Sequence, residues 1–102
     1  MATFIQVATT SELSPGQGKL VEVKDKRIAL FNVGGRYYAV DDTCPHRGGP
    51  LSEGDIEGET AICPWHGAIF DLRTGDVKRP PAAIGVTSYA VRVEGEQIEI
   101  AV

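Results

Sequence analysis

The chain is poor in the residues that usually carry redox or metal chemistry: two cysteines, two histidines, one tryptophan and one methionine among 102 residues. It has no run of Lys and Arg. Its ten basic side chains are scattered among fourteen acidic ones, for a formal charge of -4, which argues against a partner with a phosphate backbone. It also lacks any stretch near the ~18 apolar residues that a membrane span requires. The opening "MATFIQVATT" has no basic region, apolar core and small-residue cleavage site, so a cytoplasmic protein is expected. A reducing compartment in turn disfavours a disulfide between Cys44 and Cys63.

Helical periodicity is also missing, since no segment sustains it for about ten residues. Only Thr9, with Glu12 three positions on, suggests one capped turn before the Pro15-Gly16 breaker. The Gly16-x-Gly18 stretch lacks the strand, helix and acidic residue that a nucleotide fingerprint needs. There is no internal repeat and no low-complexity tract.

What remains is a period of two. The segments 3–8, 19–23, 27–33, 36–42, 87–95 and 97–102 are rich in β-branched or aromatic residues and read as strands. Gly34-Gly35 and Gly95-Glu96 lie between pairs of them, as tight antiparallel hairpins demand. The fold class is all-β in a single domain over 1–102. Phe31, Tyr37, Tyr38 and Tyr89 fall in these strands and need no role beyond packing.

The middle differs from the ends. Residues 43–82 hold five of the six prolines, interrupted by short strand candidates at 53–57, 60–63 and 68–72. This stretch reads as a loop-rich insertion on a β base. All four soft ligands fall inside it, as Cys44-x-His46 and Cys63-x-x-His66 with sixteen residues between the pairs. Each cysteine precedes a proline, which keeps it extended, and glycines follow at Gly48, Gly49 and Gly67. A hairpin in "LSEGDIEGETAI", turning at Gly58-Glu59, would bring the second loop beside the first.

Two metal readings compete for this set. Tetrahedral zinc accepts two cysteines and two histidines, but the common finger pairs cysteine with cysteine and histidine with histidine. Mixed pairs suit a [2Fe–2S] cluster in which two cysteines hold one iron and two histidines the other, each loop giving one ligand to each metal.

The spacing, with "CPHRGGPL" and "CPWHGAIFD", resembles the Rieske family, and "RPPA" at 79–82 and the closing "YAVRVEGEQIEIAV" extend the likeness over nearly the whole chain. The resemblance implies the Rieske fold: an antiparallel β base, 1–42 and 74–102, with a smaller loop-rich cluster-binding subdomain at about 43–73. It implies one [2Fe–2S] cluster bound by Cys44, His46, Cys63 and His66. The cysteines would hold the buried iron, and the histidines the outer one through Nδ. Arg47, Gly48, Trp65, Gly67, Phe70 and Pro81 are the residues expected around it, with Pro80-Pro81 as a cover and Trp65 as a cover, a partner contact or simple packing.

Departures from the family's high-potential members are informative. Their bracing disulfide has its cysteines where this chain has Gly49 and Trp65, and their serine and tyrosine hydroxyls fall where it has Ala68 and Phe70. The likeness therefore implies a carrier at the low end of the range rather than a quinol-oxidising subunit. It further implies a ferredoxin, not itself an enzyme, that takes single electrons from a flavin-dependent reductase to a terminal oxygenase; the lack of an obvious exposed apolar stripe leads us to expect a monomer. The small Rieske subunit of an assimilatory nitrite reductase is the neighbouring alternative. A structural zinc module for protein binding is the alternative of another class.

Overall fold

The segment "RIALF" explains the architecture. On a strand, successive side chains point to opposite faces, so four consecutive apolar residues require cover on both sides. In the computed structural model, which describes residues 3–43, 50–64, 67–79 and 85–102, Ile28, Ala29, Leu30 and Phe31 are all fully buried. Ile28 and Leu30 pack with Ala8, Leu13, Val21, Ala39, Ile98 and Ile100. Ala29 and Phe31 turn the other way, into a second core with Val40, Leu51, Ala61, Cys63, Phe70 and Leu72. At ~1.5–3 kcal/mol for each large apolar side chain buried, this strand contributes heavily to both cores. Truncating Phe31 to alanine costs about 3–5 kcal/mol by the usual cavity arithmetic.

Three antiparallel sheets result. β1 (Phe4–Thr9), β11 (Gln97–Ala101) and β10 (Val91–Glu94) form the first, in the order β1-β11-β10. The middle sheet runs β2 (Gly18–Val23), β3 (Lys26–Val33), β4 (Arg36–Asp41), β9 (Ser88–Tyr89). The third runs β5 (Asp55–Glu57), β6 (Thr60–Ile62), β7 (Ile69–Asp71), β8 (Val77–Arg79). Antiparallel pairing holds in all of them, and no α-helix occurs among the described residues. The all-β expectation is met, and the chain beyond Thr9 makes the one short 3₁₀ turn foreseen there, with the Thr9 N–H donating to Glu12 Oε2 at 2.9 Å.

The Gly34-Gly35 turn joins β3 to β4 with φ of 59° and 96°, a two-residue geometry that glycine adopts without strain. Lys24 and Asp25 make a similar left-handed turn between β2 and β3, with φ of 50° and 63° and no glycine to announce it. The expected strand at 87–95 is two strands. Ser88–Tyr89 pairs with β4, whereas Val91–Glu94 pairs with β11, so the chain changes sheet at Ala90.

Candidate metal centre

The third sheet positions the site by register. Asp55, Ile62, Ile69 and Arg79 lie side by side across its four strands. Residues 50–54 enter the sheet at this row, Cys63 leaves it after Ile62, and the chain departs again after Arg79. Both ends of segment 63–68, the outgoing end of 44–49 and the incoming end of 80–84 therefore lie at one end of this sheet, whereas Thr43 follows β4 of the middle sheet and Val86 donates to the Gly75 carbonyl at the opposite end. The hairpin expected at Gly58-Glu59 is what folds β5 onto β6, with Glu57 opposite Thr60.

Cys63 is a free thiol, 3% exposed, in the core with Leu51, Ala68, Phe70 and Leu72. Two backbone bonds hold the turn it begins: the Cys63 N–H donates to the Ala68 carbonyl at 2.7 Å, and the Gly67 N–H to the Cys63 carbonyl at 3.1 Å. Gly67 sits at φ 76°, where a β-carbon would be strained. Phe70 and Ala68 are fully buried, so the inner wall beside Cys63 is apolar at both. Leu51, from the first loop's return, shares this core. The other predicted residues, Cys44, His46, Arg47, Gly48, Trp65, His66 and Pro81, lie outside the described residues.

The first loop has a tied neck. Thr43 and Pro50 form an isolated antiparallel bridge. The Leu51 N–H donates to the Asp42 carbonyl at 2.7 Å, and the Ser52 N–H to Asp42 Oδ1 at 2.8 Å. Asp42 is only 1% exposed, and its own N–H donates to the Arg27 carbonyl at 3.0 Å. Sequence reasoning missed this residue, taking it as the end of a strand. The available signal was an acid immediately before the Cys-x-His loop, a position where a carboxylate can accept from returning backbone amides.

Close packing fits the neck against its neighbours. A β-carbon on Gly54 would collide with the Ile62 carbonyl, the residue just before Cys63. One on Gly18 would meet the Ser52 carbonyl and the Phe31 ring, each at 2.7 Å. Gly54 thus lets the chain entering β5 lie against β6, and Gly18 lets β2 lie against the Ser52 carbonyl.

At the far end of β7, Asp71 is 4% exposed and forms ion pairs with Arg73 at 3.2 Å and Lys78 at 3.8 Å. The Arg73 side-chain hydrogen bond holds the Asp71 carboxyl below the usual carboxylate range, against the opposing effect of burial. An open cleft of about 480 Å³ is lined, among the described residues, by Asp25, Lys26, Arg27, Asp41, Thr43, Thr87 and Tyr89, whose acids and bases balance.

Comparison with known proteins agrees with this geometry. Residues 3–90 match the Rieske [2Fe-2S] domain. The biphenyl dioxygenase ferredoxin subunit of Pseudomonas sp. (strain KKS102) is 35% identical over 97 residues, covering 94% of this chain and 89% of that protein. The ferredoxin of carbazole 1,9a-dioxygenase from Nocardioides aromaticivorans IC177 superposes with a TM-score of 0.92 at 32% identity, over 97% of each chain. A structure of the complex of reduced oxygenase and oxidized ferredoxin in carbazole 1,9a-dioxygenase is similar at a TM-score of 0.89 and 31% identity, over 96% of this chain and 92% of that one. With its three antiparallel sheets, a buried cysteine heading one loop and a tied neck closing another, this chain belongs to the Rieske [2Fe–2S] domain family.

Proposed function

We propose that the protein is a one-electron carrier of an oxygenase system, accepting electrons from a flavin-dependent reductase and delivering them to a terminal oxygenase. It is an electron-transfer component and performs no substrate chemistry itself. The observation that carries this reading is likeness along the whole length to a dioxygenase ferredoxin, over 97% of both chains. A relative of the same size seen in complex with its oxygenase supports the acceptor side. The reductase, the monomeric state and a cytoplasmic location belong to the same proposal.

The donor set fits one [2Fe–2S] cluster. Cys63 offers a buried free thiol within an apolar wall, which suits a thiolate shielded from water, and Cys44, His46 and His66 complete two cysteines and two histidines. When bound, the cluster supplies a single-electron couple, which two neutral imidazoles in place of thiolates raise to about -150 to +300 mV from about -400 mV for plant-type ferredoxins. Leu51, Ala68, Phe70 and Leu72 keep solvent from the cysteine side. His46 and His66 face outward in this reading and give the electron its exit, with Pro80-Pro81 covering the site.

The test is electron paramagnetic resonance after chemical reduction. A rhombic signal with average g below that of all-cysteine [2Fe–2S] proteins is expected, and it should disappear in His66→Ala while the β base stays folded. A colourless, silent wild-type protein would return the site to zinc. Reoxidation of the reduced protein by a ring-hydroxylating oxygenase component, with one electron passed per chain, then tests the carrier role.

A further inference from the structure

We propose that Asp42 is a positioning residue for the cluster, its carboxylate acting as the hydrogen-bond acceptor that keeps the neck of the first ligand loop closed. The inference rests on the ligand assignment proposed above. Asp42 precedes Cys44 by two residues and ties two other pieces of chain, β3 and the turn at Leu51–Ser52, to its own. Its N–H is bound to the Arg27 carbonyl on β3, its carbonyl receives the Leu51 N–H, and its Oδ1 receives the Ser52 N–H at 2.8 Å. Leu51 in turn sits in one core with Cys63.

The two backbone bonds are kept when Asp42 is replaced by alanine, but the side-chain bond is lost. It joins Asp42 to the short 3₁₀ turn Leu51–Glu53, into which the returning chain passes after the Thr43–Pro50 bridge. Ser52 has little room to find another partner. It is 9% exposed, and its carbonyl side is pressed against Gly18, where even a β-carbon would stand at 2.7 Å. Without the acceptor, a buried amide is left unpaired, and the neck gains a reason to open toward water. Under the proposed ligand assignment, the neck anchors the segment that carries Cys44 and His46 beside the core that holds Leu51 and Cys63. Asp42 thus acts on the cluster through the loop rather than by contact with it.

The experiment compares the holoprotein with Asp42→Ala, Asp42→Asn and Ile100→Val. Ile100→Val is a control that weakens the other core of the protein. Three quantities are followed: the rate of cluster loss to a chelator by visible absorbance, amide hydrogen exchange at Ser52, and global unfolding. Asp42→Ala should lose the cluster and exchange the Ser52 amide at least about tenfold faster, the size expected for losing a hydrogen bond to a charged group. Asp42→Asn keeps an acceptor oxygen and should restore most of both. Ile100→Val should lower global stability without moving Ser52 exchange or cluster loss by comparable factors. If Asp42→Ala does not fold, Asp42→Ser, with a shorter side chain, takes its place. Equal cluster loss in Asp42→Ala and wild type overturns the inference, as does an Asp42→Asn protein as labile as Asp42→Ala, since the charge and not the acceptor would then matter. A wild-type protein that never shows a mixed-ligand signal overturns the ligand assignment instead, and the two failures are distinct.

Discussion

Tyr89 donates its phenolic hydrogen to Asp41 Oδ1 at 2.6 Å, fastening the two-residue strand β9 to the end of β4. Burial, with the hydrogen bond and the charge of Asp41, pushes the Tyr89 phenol up to about 12. The protonated phenol is therefore favoured by the fold. Its stabilisation is complete below the unfolded value of about 10 and is lost as pH rises through the folded value. A spectroscopic titration, with Tyr89→Phe as the reference, should show Tyr89 ionising well above the ordinary phenol value of about 10. Tyr89→Phe should abolish the fall in stability assigned to that window and cost about 1 kcal/mol at neutral pH.

Acid should act through Asp71. Because Arg73 holds this carboxyl below the ordinary range, its contribution is present above the unfolded value of about 3.9 and lost as pH falls through the lower folded one. Arg73→Met should move the acid-unfolding midpoint to higher pH. The partner is more than half exposed, so solvent screening keeps the expected loss near neutrality small. Acid titration followed by circular dichroism checks both points, and an unchanged midpoint would show that Lys78 suffices alone.

Gly54→Ala places a β-carbon into the Ile62 carbonyl, and backbone cannot yield as a flexible side chain would. Overpacking of this kind costs about 1–3 kcal/mol. The melting temperature should fall by about 4–8 °C for each kcal/mol, with reduced cluster content because the clash lies next to Cys63. Gly34→Ala, in open space but at φ 59°, should be milder and leave cluster content unchanged.

The reduction potential should respond to Ala68→Ser. Ala68 is fully buried, and its carbonyl accepts the Cys63 N–H, so a hydroxyl here is introduced close to a proposed ligand. A donor toward the cluster favours the reduced state. One neutral hydrogen bond, about 0.5–1.5 kcal/mol, corresponds to a rise of about 20–60 mV for one electron. Protein-film voltammetry reads this directly, and a downward shift would contradict the account of the low potential.

Much of this was legible in the residues. Turns with a glycine at a left-handed position, at Gly34, Gly58 and Gly95, were visible because few other residues adopt that backbone readily. Lys24-Asp25 makes a turn of the same kind without that marker and was not foreseen. "TSYAVRVEG" reads as one strand because alternation reports only that a face is covered. Which sheet supplies the cover changes at Ala90, and that is a tertiary fact. β8, three residues long, is too short for any period to show, yet it carries the pairing of the third sheet out to Arg79. The Cys-x-His and Cys-x-x-His pairs stood out by composition alone. Asp42 did not, because its importance lies in meeting the Ser52 amide ten residues later.

The two-sided burial of β3 bears on how the site is supported. Ile28 and Leu30 pack on one side and Ala29 and Phe31 on the other, and Ala39 and Val40 of β4 divide in the same way, so the middle sheet joins the layer beneath Cys63 to the rest of the molecule. Cover on both faces leaves these strands little freedom to shift, so the buried side of the site rests on a frame set by the remainder of the fold.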